Sequence, residues 1–357
     1  VKTHLLVYRR IIMKFKIYGY NERPDHRLHV FTNDSDEPLW LDTKIYDFRY
    51  SALLSFDRDG CVYEGGGNLV DPGNRIYGSP QLGVTVPPRG FLACFGRADE
   101  PALASLLDRA MEGAMLYNAT MSLIYPMRAS LDRENDELTV EYDEETKENI
   151  QKKILFVGNS STYFNGTPIK LKGICRAENI AIDVVYCTFG SAYLHEFADE
   201  SHERGIAMRK KLKSEKYDLV FLQDAGGAEY EDSLKSIKTI MPYIKENGAE
   251  AVMYMRYAGC RGDDERDAAE KRHEETYSRL GKDFDCAVSP VAKAFGVCRH
   301  KYPEINLYAD DAAHHSREGS YLIAAQWFKT LFGRMPNGEY LAGIDRSVVE
   351  KLLDCVI

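Results

Sequence analysis

The chain of 357 residues is long enough for two domains, and it carries a formal net charge of -9 with 28% charged residues. This acidic balance argues against a nucleic-acid partner, because binding to phosphates needs a basic surface. No apolar run is long enough to span a membrane, and Arg9 and Arg10 interrupt the apolar N-terminal segment, so no secretory signal is predicted. We therefore expect a cytoplasmic protein without a membrane partner, and Met13 is a candidate start of the native chain.

Residues 1–140 predict a β-rich domain. Short apolar or aromatic runs such as "RLHVFTN", "SALLSFD" and "GFLACFG" alternate with turn sequences such as "NDSD" and "DRDG", as in a small antiparallel sheet. Only residues 100–113 show helical periodicity. The aromatic side chains of this region are either core residues or a platform for sugar rings. They include Tyr18, Tyr20, Trp40, Tyr46, Phe48 and Tyr50.

The character of the sequence changes after a polar stretch at 141–152, which predicts a linker. Residues 153–357 alternate near-continuous apolar runs with amphipathic segments. Strands that are apolar on both faces and alternate with helices predict a parallel sheet covered on both sides. We therefore expect a doubly wound, flavodoxin-like α/β domain of about five strands, with its ligand site at the carboxyl ends of the strands. The runs lie at 153–158, 180–187, 217–223, 250–258 and 286–291.

Cysteine and histidine spacing gives no sign of a metal site. The eight cysteines are widely separated without a CxxC pair, which is typical of buried thiols in a reducing compartment. His273 and Glu274 lack the second histidine of an HExxH motif. No metal or organic cofactor is expected.

The first predicted strand of the α/β domain ends abruptly in "ILFVGNSSTYFNG", residues 154–166. A phosphate-binding loop would need further glycines and a lysine, and these are missing. Two interpretations remain for the Gly158-Asn159-Ser160 turn. It is either an ordinary helix cap, since Asn and Ser are good N-cap residues, or a tight turn that presents Ser160 as a nucleophile.

The second interpretation gains support from "LYADDAAHHSREGSYLIAAQWF" near the C-terminus. A serine hydroxyl needs a base to remove its proton, and the base needs a third group that fixes its tautomer. Asp311, three residues before His314, can provide both from one short segment. The alternative is a solvated capping turn.

These two segments together resemble the SGNH (GDSL-type) serine hydrolase superfamily over residues 152 to about 335. Its first block is a G-D-S or G-N-S turn and its last block is D-x-x-H. The resemblance is strongest to a bacterial branch with a GNS first block. It implies a serine esterase in which Ser160 is the nucleophile, His314 the general base and Asp311 the residue that orients the histidine. It does not extend to residues 1–140.

The resemblance also implies an oxyanion hole, in which the backbone N–H groups of Ser160 and Gly190 correspond to two of the three donors. The third, an Asn side chain, is missing, and the third strand ends in "FLQDAGG". We expect Gln223 to donate its amide instead. The alternatives are that Gln223 is a buried structural residue, or that Asp224 binds a substrate hydroxyl.

Asn159 and His315 are further candidates for substrate binding. For Asn159 the alternative is that it only holds the turn through backbone hydrogen bonds. For His315, where members of the superfamily often carry Pro, the alternative is a surface neighbour without a role.

Three functions remain open at this point. The first is an esterase for small acyl groups, such as acetyl, on a carbohydrate or other small molecule. The second is a weakly active or inactive binding module on the same fold, suggested by the missing Asn. The third is an interaction protein in which the N-terminal domain binds a carbohydrate or a protein.

Overall fold

The structure is a computed structural model, and it describes most of the second half of the chain and the strands of the first half. Two compact units are present, Val1–Asn149 and Ile150–Ile357. The described residues are 8–16, 28–42, 52–58, 62–66, 69–71, 75–77, 83–95, 128–145, 150–260, 262–309 and 311–357.

The N-terminal unit consists, in its described part, of antiparallel strands, which confirms the prediction of a β-rich domain. They form sheets of order β1-β11-β10, β2-β9-β4-β5, β3-β8 and β6-β7. The strands are β1 (Tyr8–Lys16), β2 (Leu28–Thr32), β3 (Leu39–Asp42), β4 (Ala52–Phe56), β5 (Val62–Gly66), β6 (Leu69–Asp71), β7 (Arg75–Tyr77), β8 (Gly83–Val86), β9 (Phe91–Phe95), β10 (Arg128–Asp132) and β11 (Glu137–Glu145).

Two sequence-based expectations for this unit need comment. Residues 141–145, predicted as the start of the linker, continue β11, where they pair with residues 8–12 of β1. Backbone pairing explains this difference, because charged residues are accepted in a strand once a neighbouring strand supplies the hydrogen bonds. The helical stretch at 100–113 and the candidate aromatic platform lie outside the described backbone or side chains.

The C-terminal unit contains a five-stranded parallel sheet of order β13-β12-β14-β15-β16 with helices around it, which confirms the predicted doubly wound fold. The strands are β12 (Lys152–Gly158), β13 (Ile182–Thr188), β14 (Leu219–Leu222), β15 (Glu250–Tyr254) and β16 (Ala287–Ser289). The last strand stops before Pro290, which has no N–H for further pairing.

The helices separate the strands largely where the apolar periodicity predicts them. The amphipathic segment 193–215 forms two helices rather than one, because Asp199 accepts hydrogen bonds from the backbone N–H and the hydroxyl of Ser201 and so forms a turn. The helices are α1 (Ser160–Tyr163), α2 (Thr167–Ala177), α3 (Leu194–Ala198), α4 (Glu203–Ser214), α5 (Tyr230–Asn247), α6 (Asp263–Phe284), α7 (Val291–Lys301), α8 (Arg317–Phe332) and α9 (Arg346–Leu353). Of the helices that the structure describes, none is both long and apolar enough to cross a bilayer.

The core of the C-terminal unit lies between the central strands and α8. Trp327 of α8 is fully buried. Its ring lies 4.9 Å from that of Phe156 on β12 and 5.5 Å from that of Phe221 on β14. Such aromatic contacts bury a large apolar area. They fix α8, and with it the loop that precedes α8, over the carboxyl ends of β12 and β14.

Candidate active site

In the turn after β12, Asn159 rather than Ser160 caps the helix that follows. Asn159 has extended backbone dihedrals and is the N-cap of α1: its side chain accepts a hydrogen bond from the Ser161 N–H at 3.0 Å. Its amide donates to the Ala192 carbonyl at 2.9 Å. Asn159 is therefore occupied by backbone partners, and Ser160 is not needed as the cap. The hydroxyl of Ser160 points elsewhere.

Ser160, His314 and Asp311 form one chain of hydrogen bonds. The Oγ of Ser160 lies 2.7 Å from Nε2 of His314, and Nδ1 of His314 lies 2.6 Å from Oδ2 of Asp311. With Nδ1–H donating to the carboxylate, Nε2 carries the lone pair that faces the serine hydroxyl. The arrangement is that of a general base poised to deprotonate a nucleophile.

Asp311 is held as an anion. Its second oxygen accepts hydrogen bonds from the backbone N–H groups of Ala313 and His314, at 3.0 and 2.9 Å. Burial favours the neutral carboxyl, but the hydrogen bonds from His314 outweigh it and lower the pKa of Asp311 to about 2. The carboxylate therefore stays charged at neutral pH and can stabilise an imidazolium.

Phe164 fixes the plane of the imidazole. Its ring stacks on that of His314, with 4.3 Å between centroids and 17° between planes. The His314 side chain keeps 16% of its surface exposed, so one face of the ring is covered while part of the side chain remains accessible. Sequence reasoning missed Phe164, although an aromatic residue four positions after the nucleophile was the available signal.

The two backbone N–H groups predicted for the oxyanion hole belong to Ser160 and Gly190. Phe189 donates its N–H to the Gly158 carbonyl at 3.0 Å, and this hydrogen bond holds Gly190 beside the Gly158-Asn159-Ser160 turn. Within the part of the chain that the structure describes, neither the Ser160 nor the Gly190 N–H has a hydrogen-bond partner. Both predicted backbone donors thus lie where the chains of β12 and β13 leave the sheet.

Gln223 has a different position from the one expected of an oxyanion donor. Its Oε1 accepts hydrogen bonds from the Asn159 N–H and the Thr162 hydroxyl, both at 2.9 Å. The amide orientation follows from this, because a backbone N–H needs an acceptor. The Gln223 Nε2 then donates to the backbone carbonyl of Asp224, and the side chain is only 1% exposed. Gln223 therefore stabilises the Gly158-Asn159-Ser160 turn through hydrogen bonds, which is the structural alternative given above for this residue.

We expect Gln223→Met to lower stability by about 1 to 3 kcal/mol, because the similar-sized side chain leaves the buried N–H of Asn159 without an acceptor. Ester turnover should fall as well, since the turn that carries Ser160 loses its support. Urea denaturation and steady-state kinetics measure the two effects. Unchanged stability would contradict the role given to Gln223.

Asp224 does not reach the substrate side either. Asp224 is 3% exposed. It accepts hydrogen bonds from the N–H groups of Leu194 and Ala225 and from the Ser233 hydroxyl, at 2.9, 2.8 and 2.7 Å. Asp224 therefore ties the loop after β13 to the loop after β14, and its burial keeps it away from a substrate hydroxyl.

His315 is fully buried rather than at the surface or in the cleft. Its Nε2 lies 2.7 Å from the Phe164 carbonyl and 2.8 Å from the Thr167 hydroxyl, and its Nδ1 lies 3.1 Å from the Tyr257 hydroxyl. Burial lowers the pKa of His315 to about 3. The neutral ring joins the nucleophile segment to the segment that carries His314.

His315 should make folding stability dependent on pH. Its pKa in the folded protein lies below the ordinary value of 6.5, so the stabilisation is complete above pH 6.5 and is lost as the pH falls towards 3. The loss is at most about 1.4 kcal/mol per pH unit, or about 2 kcal/mol between pH 6.5 and 5. Urea denaturation at both pH values should show a smaller loss of stability on acidification in His315→Gln than in the wild type. Equal losses in the two proteins would refute it.

A metal centre has no counterpart in the described ranges. Among those residues, no group of three or more His, Cys, Asp or Glu side chains is placed to hold a metal ion.

Comparison with known proteins gives structural neighbours over about half of the chain. No protein-family model matches the chain, and no curated protein matches it by sequence. A protein from Slackia heliotrinireducens designated an SGNH hydrolase is 25% identical, with a TM-score of 0.44 over 50% of this chain and 98% of that one. A DUF4886 family protein from Bacteroides uniformis is 17% identical, with a TM-score of 0.46 over 57% and 94%.

An acetylxylan esterase from Geobacillus stearothermophilus is 15% identical, with a TM-score of 0.41 over 52% of this chain and 97% of that one. The structural neighbours of this chain thus include SGNH hydrolases over about half of its length, and its N-terminal part has no recognised counterpart among them.

Proposed function

We propose that the C-terminal unit is a serine esterase that hydrolyses esters of small acyl groups through an acyl-enzyme. The observation that carries this proposal is the continuous hydrogen-bond chain from Ser160 Oγ through His314 to Asp311. A binding module that had lost its activity would have no need to keep these three groups aligned.

In the first step, Ser160 Oγ attacks the ester carbonyl carbon while His314 Nε2 takes the hydroxyl proton. Negative charge develops on the carbonyl oxygen, and the N–H groups of Ser160 and Gly190 bind it. Each such donor is worth about 3 to 4 kcal/mol in the barrier. Asp311 stabilises the imidazolium without taking up its proton.

His314 then gives its proton to the leaving alcohol, and the ester bond breaks. In the second step, water attacks the acyl-enzyme, His314 accepts a proton from the water, and Ser160 leaves with that proton. These residues account for the whole cycle.

Small acyl groups fit the loops around the nucleophile. The segments "FGSAY" (189–193) and "AGGAE" (225–229) consist mainly of small and polar residues, which offer little apolar surface to a long acyl chain. Tyr193 is 40% exposed and lies 5.4 Å from the His195 ring. An exposed aromatic pair of this kind near Gly190 suits a sugar ring, so we propose an acetyl ester of a carbohydrate hydroxyl as the substrate class.

The test is hydrolysis of p-nitrophenyl acetate, butyrate and octanoate by the purified chain. We expect kcat/KM to fall as the acyl chain lengthens, and a panel of acetylated sugars then tests the alcohol. Hydrolysis of all three esters at the rate of buffer alone would overturn the esterase and favour the binding module.

A further inference from the structure

Arg256 carries a positive charge at the edge of the candidate site and has no counter-ion among the described residues. It follows β15 at the carboxyl end of the sheet and is half-buried. Its Nε is buried without a hydrogen-bond partner, and no carboxylate of the described residues pairs with its guanidinium. Arg299, by contrast, is paired with Asp263 and Glu270, at 3.0 and 2.8 Å. The guanidinium carbon lies 5.2 Å from the Tyr257 ring centroid, but this neutral ring supplies no opposite charge. A half-buried charge without a counter-ion is costly unless a ligand supplies one.

Two glycines make room for the Arg256 guanidinium. A Cβ on Gly226, in the loop after β14, would lie 1.8 Å from Nη1, and a Cβ on Gly259 would lie 3.0 Å from Nη2. Any side chain at Gly226 would therefore displace the guanidinium. The next residue, Gly227, faces open space: a Cβ there would meet nothing within 4 Å.

The Arg256 guanidinium also lies next to the catalytic segment. The hypothetical Cβ of Gly259 that is close to Nη2 would lie 2.6 Å from the carbonyl oxygen of Ala313, the residue before His314. The Tyr257 hydroxyl donates to the same carbonyl at 3.1 Å. Burial raises the pKa of Tyr257, and the charge of Arg256 opposes that rise. The Arg256 guanidinium thus lies close to Ala313, which precedes the general base His314 in the sequence.

The groups behind Arg256 do not neutralise it. The ring nitrogens of His273 lie 2.8 Å from the Arg256 carbonyl and 3.3 Å from the Gly226 carbonyl. Burial, together with the positive charge of Arg256, lowers the pKa of His273 to about 4. The imidazole is therefore neutral at pH 7 and adds no charge of either sign.

We propose that Arg256 binds a carboxylate of the substrate, so that the preferred ester carries a negative charge on its alcohol or acyl part. This inference rests on the proposed esterase function and names the substrate class more closely. A guanidinium presents a planar fork of N–H donors that matches a carboxylate. A single guanidinium suits a single negative charge.

The test compares matched esters that differ in charge. 4-Acetoxybenzoate and its neutral methyl ester test the alcohol side, while mono-4-nitrophenyl succinate and 4-nitrophenyl butyrate test the acyl side. We expect the wild type to prefer the anion by about tenfold or more in kcat/KM in at least one pair, the scale of a charge-assisted hydrogen bond. Arg256→Gln should lower that ratio by about 10- to 100-fold, and Arg256→Lys should retain part of it.

Gly226→Ala provides a variant that keeps the charge but moves it. It should lower the anion preference, whereas the matched control Gly227→Ala should retain it. A merely structural role for Arg256 would lower turnover of anionic and neutral esters alike. Equal ratios in the wild type and Arg256→Gln, or no anion preference in either pair, would overturn the proposal.

A binding measurement separates this inference from the esterase proposal. Isothermal titration of Ser160→Ala with 4-hydroxybenzoate and with mono-methyl succinate requires no turnover. We expect binding of at least one carboxylate, weakened about tenfold or more when Arg256→Gln is added. If binding depends on Arg256 but the wild type hydrolyses none of the esters, only the proposed function is overturned. Binding of neither acid, or equal binding in both variants, would overturn the carboxylate site.

Discussion

Ser160→Ala is expected to lower kcat for p-nitrophenyl acetate by about a thousandfold or more, since it removes the nucleophile and leaves only binding and oxyanion stabilisation. The fold should survive, because Asn159 rather than Ser160 caps α1. Steady-state kinetics beside a urea denaturation curve measures both quantities.

Ser161→Ala is the matched control for this variant. The two serines are adjacent, but only Ser160 Oγ lies within hydrogen-bond distance of His314. Ser161→Ala should therefore retain most of the activity. If both variants were equally active, or if Ser161→Ala were the inactive one, the assignment of the nucleophile would be wrong.

Asp311→Asn is expected to lower kcat by about a thousandfold while the protein remains folded. The amide oxygen of Asn can still accept the backbone N–H groups of Ala313 and His314. Its NH₂ group, however, then faces Nδ1 of His314 and donates to it. This places the imidazole proton on Nε2, the nitrogen that must accept the Ser160 proton, so the base has the wrong tautomer.

The pH profile distinguishes this effect from general damage. In the wild type the pKa of Asp311 is about 2, so the carboxylate remains charged and turnover should not follow its titration between pH 5 and 8. In Asp311→Asn the rate should stay low across that range. Recovery of wild-type turnover at any pH between 5 and 8 would show that Asp311 does not set the tautomer.

The sequence was sufficient to predict the α/β fold because its strands are buried on both faces. Runs such as "KILFVG" and "YDLVFLQ" are apolar nearly throughout, which indicates strands covered on both faces. Parallel strands also need connections between them, and these are usually helices. The same logic placed the Gly158 turn at the edge of the sheet where sites form. The Asp311–His314 spacing then pointed to a partner for Ser160 that is distant in sequence.

Side-chain direction at the end of β14 could not be predicted in the same way. Gln223 and Asp224 both lie at the correct edge, but their hydrogen-bond partners come from other segments: Asn159 and Thr162 for Gln223, and Leu194 and Ser233 for Asp224. Those contacts exist only once the loops have packed. Both residues therefore stabilise the loops of the site. The sequence pattern alone predicted that they would contact the substrate.

Arg256 illustrates a second limit. In the sequence it is one arginine in "MRYAGCRG", with nothing to separate it from a surface residue. Only the closeness of Gly226 and Gly259 to its guanidinium shows that space is reserved for it. The charge of Arg256 suggests a function only in the structure, which shows that it lies near His314 without a counter-ion among the described residues.

The most direct test of the account is covalent labelling of Ser160. The protein is incubated with diisopropyl fluorophosphate, and intact-protein and peptide mass spectrometry then locate the adduct. We expect one diisopropylphosphoryl group per chain, on Ser160, with no label in Ser160→Ala and much slower labelling in His314→Ala. A wild-type chain that remains unlabelled, or that carries its label on another residue, would contradict the central claim that Ser160 is a nucleophile activated by His314.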